Sequence, residues 1–155
     1  MDCYTAALRI LSFRFNSVAE LRRKLRAKKF EEEEIDSTLA RLREEKWLDD
    51  ERFASSFVRT RATKRVGRLR ILRELSEAGV PSSAASRAVA EQLDPERERS
   101  ALEALCHRKL EALRRRRGDD YAASDEGRAK LMASLARSGF ETSAVIEVVE
   151  EALRR

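Results

Sequence analysis

Turn chemistry is scarce in this chain: two prolines and five glycines serve 155 residues. There is also no run of alternating β-branched residues, so a sheet built from hairpins is excluded and the chain reads as all-α. Aromatic residues make up 6% and charged residues 39%. Few large core side chains and this much charge argue against a thick spherical domain. A thin helical array, with much surface per residue, fits better. Cys3 and Cys106, the two cysteines, stand far apart. They make no disulfide framework, so a reducing cytoplasm is the expected location. Long apolar runs are missing too, and neither export nor membrane insertion is inferred.

The ingredients of catalysis are equally thin. A reaction centre needs a nucleophile with a base, a metal, or paired carboxylates in a cleft. His107 is the sole histidine. It follows Cys106 directly, so on a helix the two point about 100° apart and do not share one metal. No CxxC, HExxH or glycine-rich phosphate loop occurs. Most acidic residues fall at helix starts, where capping accounts for them. We expect no catalytic residue, no metal site and no cofactor, hence a protein that is not an enzyme.

What is present is helical periodicity. The stretch Lys46-Trp47-Leu48-Asp49-Asp50-Glu51-Arg52-Phe53-Ala54 reads as a stop, a corner and a start. Asp49 is placed to cap the next helix, Asp50 and Glu51 follow at the positive end of its dipole, and Leu48 and Phe53 have the spacing of a hydrophobic staple. Upstream, Ser17-Val18-Ala19-Glu20 is a capping box. Downstream, Gly79 and Gly139 stand where helices stop, Pro81 suits a first helical turn, and Asp94-Pro95 starts a longer helix. Arg114 to Asp120 reads as a polar break, with Arg114–Arg117 in a partly disordered loop.

Aligning helix ends exposes a repeat. Leu21, Leu25, Phe30, Ile35 and Leu39 are followed 50 residues later by Ile71, Leu75, Val80, Ala85 and Val89. Leu131, Leu135, Phe140, Val145 and Val149 come a further 60 residues on. Each set puts an apolar residue in a tight turn between two helices. The pattern predicts three tandem three-helix repeats, residues 1–48, 49–93 and 94–155, with nine helices in all. They form an elongated, curved solenoid-like array, expected to be a monomer.

Net charge is +5, and the excess lies in the first two repeats. Arg22, Arg23, Lys24, Arg26, Lys28 and Lys29 crowd one helix, with Glu31 to Glu34 close enough to neutralise them. From Arg52 to Arg73 the cations are Arg52, Arg59, Arg61, Lys64, Arg65, Arg68, Arg70 and Arg73, with no acidic residue between them. So dense a run of one sign points to a polyanion nearby, and arginine suits bidentate contacts to phosphate or carboxylate. No aromatic residues interleave these clusters, so stacking on splayed bases is not indicated.

Three segments carry a resemblance: Ala19-Glu20-Leu21-Arg22-Arg23-Lys24-Leu25, Trp47 to Ala54, and Gly67 to Leu75 with the turn at Gly79-Val80. On these the chain resembles the RecX family, bacterial regulators of the RecA recombinase. Lys46 and Lys29 stand where the family often has glycine, and Arg68 where it often has proline. The resemblance implies a modular rod lying in the helical groove of the RecA–DNA filament and bridging adjacent protomers. Such a rod hinders filament extension or favours disassembly. It thereby lowers ATP hydrolysis, strand exchange and RecA-dependent cleavage of the LexA repressor, in DNA repair and the SOS response.

The expected partners are therefore the RecA filament and the phosphate backbone of the single- or double-stranded DNA within it, with no membrane. The expected contact residues are the eight cations from Arg52 to Arg73, then Arg22, Arg23 and Arg26. The alternatives are a helix-turn-helix-like DNA-binding transcriptional regulator with one helix in the major groove, and a helical scaffold that binds only protein.

Overall fold

A computed structural model describes residues 1–155. It contains ten helices and no strand. The first unit is α1 (Cys3–Phe13), α2 (Val18–Ala27) and α3 (Glu32–Glu44). The second is α4 (Asp50–Ala62), α5 (Arg68–Glu77) and α6 (Ser82–Gln92). The third is α7 (Pro95–Arg117), α8 (Asp119–Ala123), α9 (Asp125–Arg137) and α10 (Thr142–Arg154). The extra helix, α8, begins at the end of the Arg114–Asp120 segment expected to be a polar break and makes ten helices where nine were expected. Arg114 to Arg117 form the last turn of α7, where four cations meet the negative end of the helix dipole.

Local chemistry sets the helix ends. The capping box is formed, Ser17 accepting from the Glu20 N–H and Glu20 from the Ser17 N–H. Asp49, Asp94 and Ser124 cap α4, α7 and α9. Pro81 is the N-cap of α6, one position before the first turn. Leu48 and Phe53 are both buried but do not act as a staple: Leu48 belongs to the first core and Phe53 to the second. The corner is thus pinned to two cores at once.

Each unit has its own core. Leu21, Leu25, Ile35, Leu39 and Leu42 anchor the first, Ile71, Leu75, Val80 and Val89 the second, and Leu131, Leu135, Phe140, Val145 and Val149 the third. These include the residues of the repeat, with Phe30 packed at the edge of the first core. The chain exposes 9696 Å², against about 8,000 Å² for a compact protein of this mass. The excess is the surface of an elongated array.

The units are joined by polar, backbone-centred contacts used twice. At the first joint, Asp50 of α4 accepts the Val18 N–H at 2.9 Å and the buried Ser17 hydroxyl donates to the Ala78 carbonyl at 2.5 Å. At the second, Glu98 of α7 accepts the Arg68 N–H at 2.7 Å, and the Gly67 and Leu69 N–H groups donate to the Ser138 and Gly139 carbonyls at 2.8 and 3.0 Å. In both, the start of one unit's second helix rests on the turn before the next unit's last helix, and a carboxylate from that next unit satisfies its first N–H.

This docking explains two glycines. Gly79 and Gly139 have φ of 82° and 95°. A Cβ on Gly79 would stand 2.3 Å from the Ala19 Cβ, and one on Gly139 2.2 Å from the Arg70 Cβ. At the equivalent turn of the first unit, on which none of the described units docks, Lys29 holds the same left-handed conformation at φ 72°. Lys46 does so at the corner, φ 64°. The turn geometry therefore survives both departures from glycine, at the strain that a side chain brings to that region.

Candidate polyanion-binding surface

The second unit carries the cations expected to matter most, along α4, the 63–67 loop and the start of α5. They divide into two groups. Arg61 and Arg70 both reach Glu74, at 2.5 and 3.0 Å. Arg68 pairs with Glu98 at 3.0 Å across the second joint. Arg73 lies 4.0 Å from Glu77. A cluster without neutralising neighbours was expected, and for these four residues the structure overturns it. Glu74 lies just past the run, and Glu98 arrives by tertiary folding.

Arg59, Lys64 and Arg65 remain exposed with no ion-pair partner. Arg52 is also exposed, its guanidinium 5.4 Å from the centre of the Phe15 ring. Arg61 lies 5.9 Å from the Phe57 ring. Aromatic and basic side chains do meet here, Arg61 and Phe57 one turn apart within α4 and Arg52 and Phe15 across elements. Burial pushes the Glu74 carboxyl upward, but the bonds from Arg61 and Arg70 outweigh this and hold it below the usual range. Arg61, Arg70 and Glu74 thus form a charged clasp between α4 and α5.

In the first unit Arg22 pairs with Glu32 and Asp36 at 3.2 and 2.7 Å, and Arg26 pairs with Glu32. The expected neutralisation by the acidic start of α3 is there, and it runs through Glu32. Arg23 is exposed without a partner. The structure thus leaves Arg59 near the end of α4 and Lys64 and Arg65 in the loop that follows unpaired, places Arg52 at the start of α4 and Arg23 on α2, and commits the rest to internal pairs.

Sequence reasoning missed a set of exposed aromatics. Phe13, Phe15 and Trp47 are 83%, 51% and 59% exposed. The Phe13-Arg14-Phe15 run was the available signal: it straddles the end of α1 at Arg14, so the two rings share no helix face on which both could be buried.

Comparison with known proteins bears on this surface. The model of the RecX first three-helix domain matches residues 3–42, and that of the second three-helix domain matches residues 49–89. A Regulatory protein RecX from Xanthomonas campestris pv. campestris is 37% identical over 139 residues, which is 90% of this chain and 80% of the relative. The chain belongs to the RecX family. A Regulatory protein RecX from Oceanobacillus iheyensis is 32% identical across 96% of this chain, which spans about half (52%) of that relative's length. The crystal structure of RecX from Lactobacillus salivarius superposes with a TM-score of 0.78 at 24% identity, over 98% of this chain and 94% of that one, and shares its fold. The chain is thus a RecX-family regulatory protein with the all-helical, solenoid-like architecture of its relatives.

No helix is long and apolar enough to cross a membrane. The RecX-type Trp47–Ala54 segment is the corner between the first two units. Its Asp49 caps α4 and its Asp50 caps α2 of the unit before.

Proposed function

We propose that this chain binds the RecA–DNA filament and lowers RecA activity: ATP hydrolysis, strand exchange and RecA-dependent repressor cleavage. The observation that carries the reading is the group of unpaired, exposed cations Arg59, Lys64 and Arg65, at the end of α4 and in the loop before α5 of a RecX-family array. The family name supplies the link to RecA, and the elongated shape suits a long groove lined by acidic protein and phosphate. Arg52 and Arg23 extend the contact along the array. Arg22, Arg26, Arg61, Arg68, Arg70 and Arg73 act from inside ion pairs: Arg68 ties the second unit to the third, the others pair within their own units, and all lend positive potential. The chain works as a monomer in the cytoplasm, without cofactor, and its regulatory action requires no chemistry of its own.

Co-sedimentation with RecA filaments assembled on single-stranded DNA tests this. The chain should pellet with filaments, and Arg59→Gln/Lys64→Gln/Arg65→Gln should leave most of it in the supernatant. Equal pelleting of the triple variant would remove the cation cluster from the reading. Tight, sequence-selective duplex binding without RecA would replace the reading with that of a DNA-binding regulator.

A further inference from the structure

The first unit carries a groove that the filament reading does not use. It runs between α1 and α2 and encloses about 350 Å³. Ile10 and Phe13 form its apolar floor, and Phe13 is the most exposed large hydrophobic residue in the chain at 83%. Arg9, Arg14, Lys24 and Lys28 line it, and no carboxylate does. Arg14 is held by Glu20 at 3.0 Å and Lys24 by the Asn16 side-chain carbonyl at 2.5 Å, while Arg9 and Lys28 have no ion-pair partner. Burial, followed by the charge of Arg14, holds the Lys24 ammonium below its ordinary range.

The second unit shows what this arrangement lacks. Fifty residues beyond Lys24 in the repeat stands Glu74. There the carboxylate takes Arg61 of α4 and Arg70 of α5 and clasps the two helices together. In the first unit a lysine occupies that position, and cations face one another across an apolar floor. An open apolar surface ringed by like charges is stable only through hydration. It gains from a partner that brings apolar side chains and negative charge together.

We propose that this groove docks a short acidic–apolar segment of a partner protein, in which one or two large apolar side chains stand beside carboxylates. The apolar side chains cover Phe13 and Ile10. The carboxylates meet Lys28 and Arg9, the two cations with no partner of their own. Protein fits better than single-stranded nucleic acid for two reasons. Half of the floor is aliphatic and offers no flat face for a base, and the neighbouring Phe15 ring already carries Arg52. The site shares no residue with the Arg52–Arg73 cluster, so it stands or falls independently of filament binding.

The test is fluorescence anisotropy on the full chain with a fluorescein-labelled peptide of aspartates ending in leucine and phenylalanine. Saturable binding should result. It should weaken about tenfold in Phe13→Ala and in Lys28→Glu, and about as much when the aspartates of the peptide are replaced by asparagine. Phe13 and Lys28 are exposed, and unchanged far-ultraviolet circular dichroism would show that both variants remain folded. The proposal is overturned by absence of binding, by affinity unchanged in both variants, or by equal affinity for the asparagine peptide. Labelled oligothymidine that binds more tightly than the peptide and loses affinity in Phe13→Ala would overturn it in favour of a nucleic-acid groove.

Discussion

The carboxylate of Asp50 accepts the backbone N–H of Val18 at 2.9 Å. An acid from the second unit thus completes the cap of a helix in the first. Its neighbour Asp49 caps its own helix, accepting from the Glu51 and Arg52 N–H groups at 3.0 and 3.2 Å. Adjacent and chemically alike, the two residues act on different levels of the structure. Asp49 fixes where α4 begins, and Asp50 fixes how the second unit sits on the first.

Substitution should therefore separate them. Asp49→Ala should lower global stability by about 1 kcal/mol, the usual loss for an N-cap. Asp50→Ala should change the denaturation midpoint less but speed amide hydrogen exchange at Val18 to Glu20, and it should broaden the range of shapes seen by small-angle X-ray scattering. Equal effects of the two variants on both measurements would show that Asp50 is only a second dipole residue.

The turn glycines give a second contrast. Gly139→Ala brings a Cβ against Arg70 and also forces alanine to φ 95°. It should destabilise the chain by at least 1–2 kcal/mol, on the order of the left-handed penalty alone. Lys29→Gly relieves the same conformation where no unit is docked, and should be neutral or stabilising by up to about 1 kcal/mol. Urea unfolding of the two variants checks both signs.

The clasp of Arg61, Arg70 and Glu74 makes a pH prediction. The Glu74 pKa is depressed in the folded chain, so its contribution is present in full above the unfolded carboxylate value of about 4.3. It fades as pH falls through the lower folded value. Glu74→Gln should therefore cost stability at pH 7 and progressively less below pH of about 4. A difference between wild type and variant that does not shrink on acidification would rule the clasp out.

Much of this was legible in the sequence. The repeat from Leu21 to Val149 marked the cores. Ser17, Asp49 and Asp94 marked helix starts, because capping depends on residues within one turn of each other. What escaped notice depends on distance. Glu98 meets Arg68 only after 30 residues of chain have folded back, so the run from Arg52 to Arg73 looked unneutralised. The helix α8 was hidden by its own brevity and polarity. Phe13 and Phe15 went unremarked because their exposure is set by how the end of α1 packs, which local pattern does not show.

Charge variants sort the candidate contact residues. Arg59→Gln, Lys64→Gln and Arg65→Gln together should leave stability within about 0.5 kcal/mol of wild type, as for ordinary surface changes. If the three meet phosphates in the filament, the slope of log affinity against log salt should fall by about 2 to 3. Arg61→Gln should do the reverse, costing about 1 kcal/mol of stability through the loss of its bond to Glu74 while barely changing the salt slope.

The most direct measurement is RecA ATP hydrolysis on single-stranded DNA as the chain is titrated in. The account predicts inhibition that saturates, weakens with salt, and is largely lost in the Arg59/Lys64/Arg65 triple variant. ATP hydrolysis unaffected at a chain concentration equal to that of RecA would contradict it.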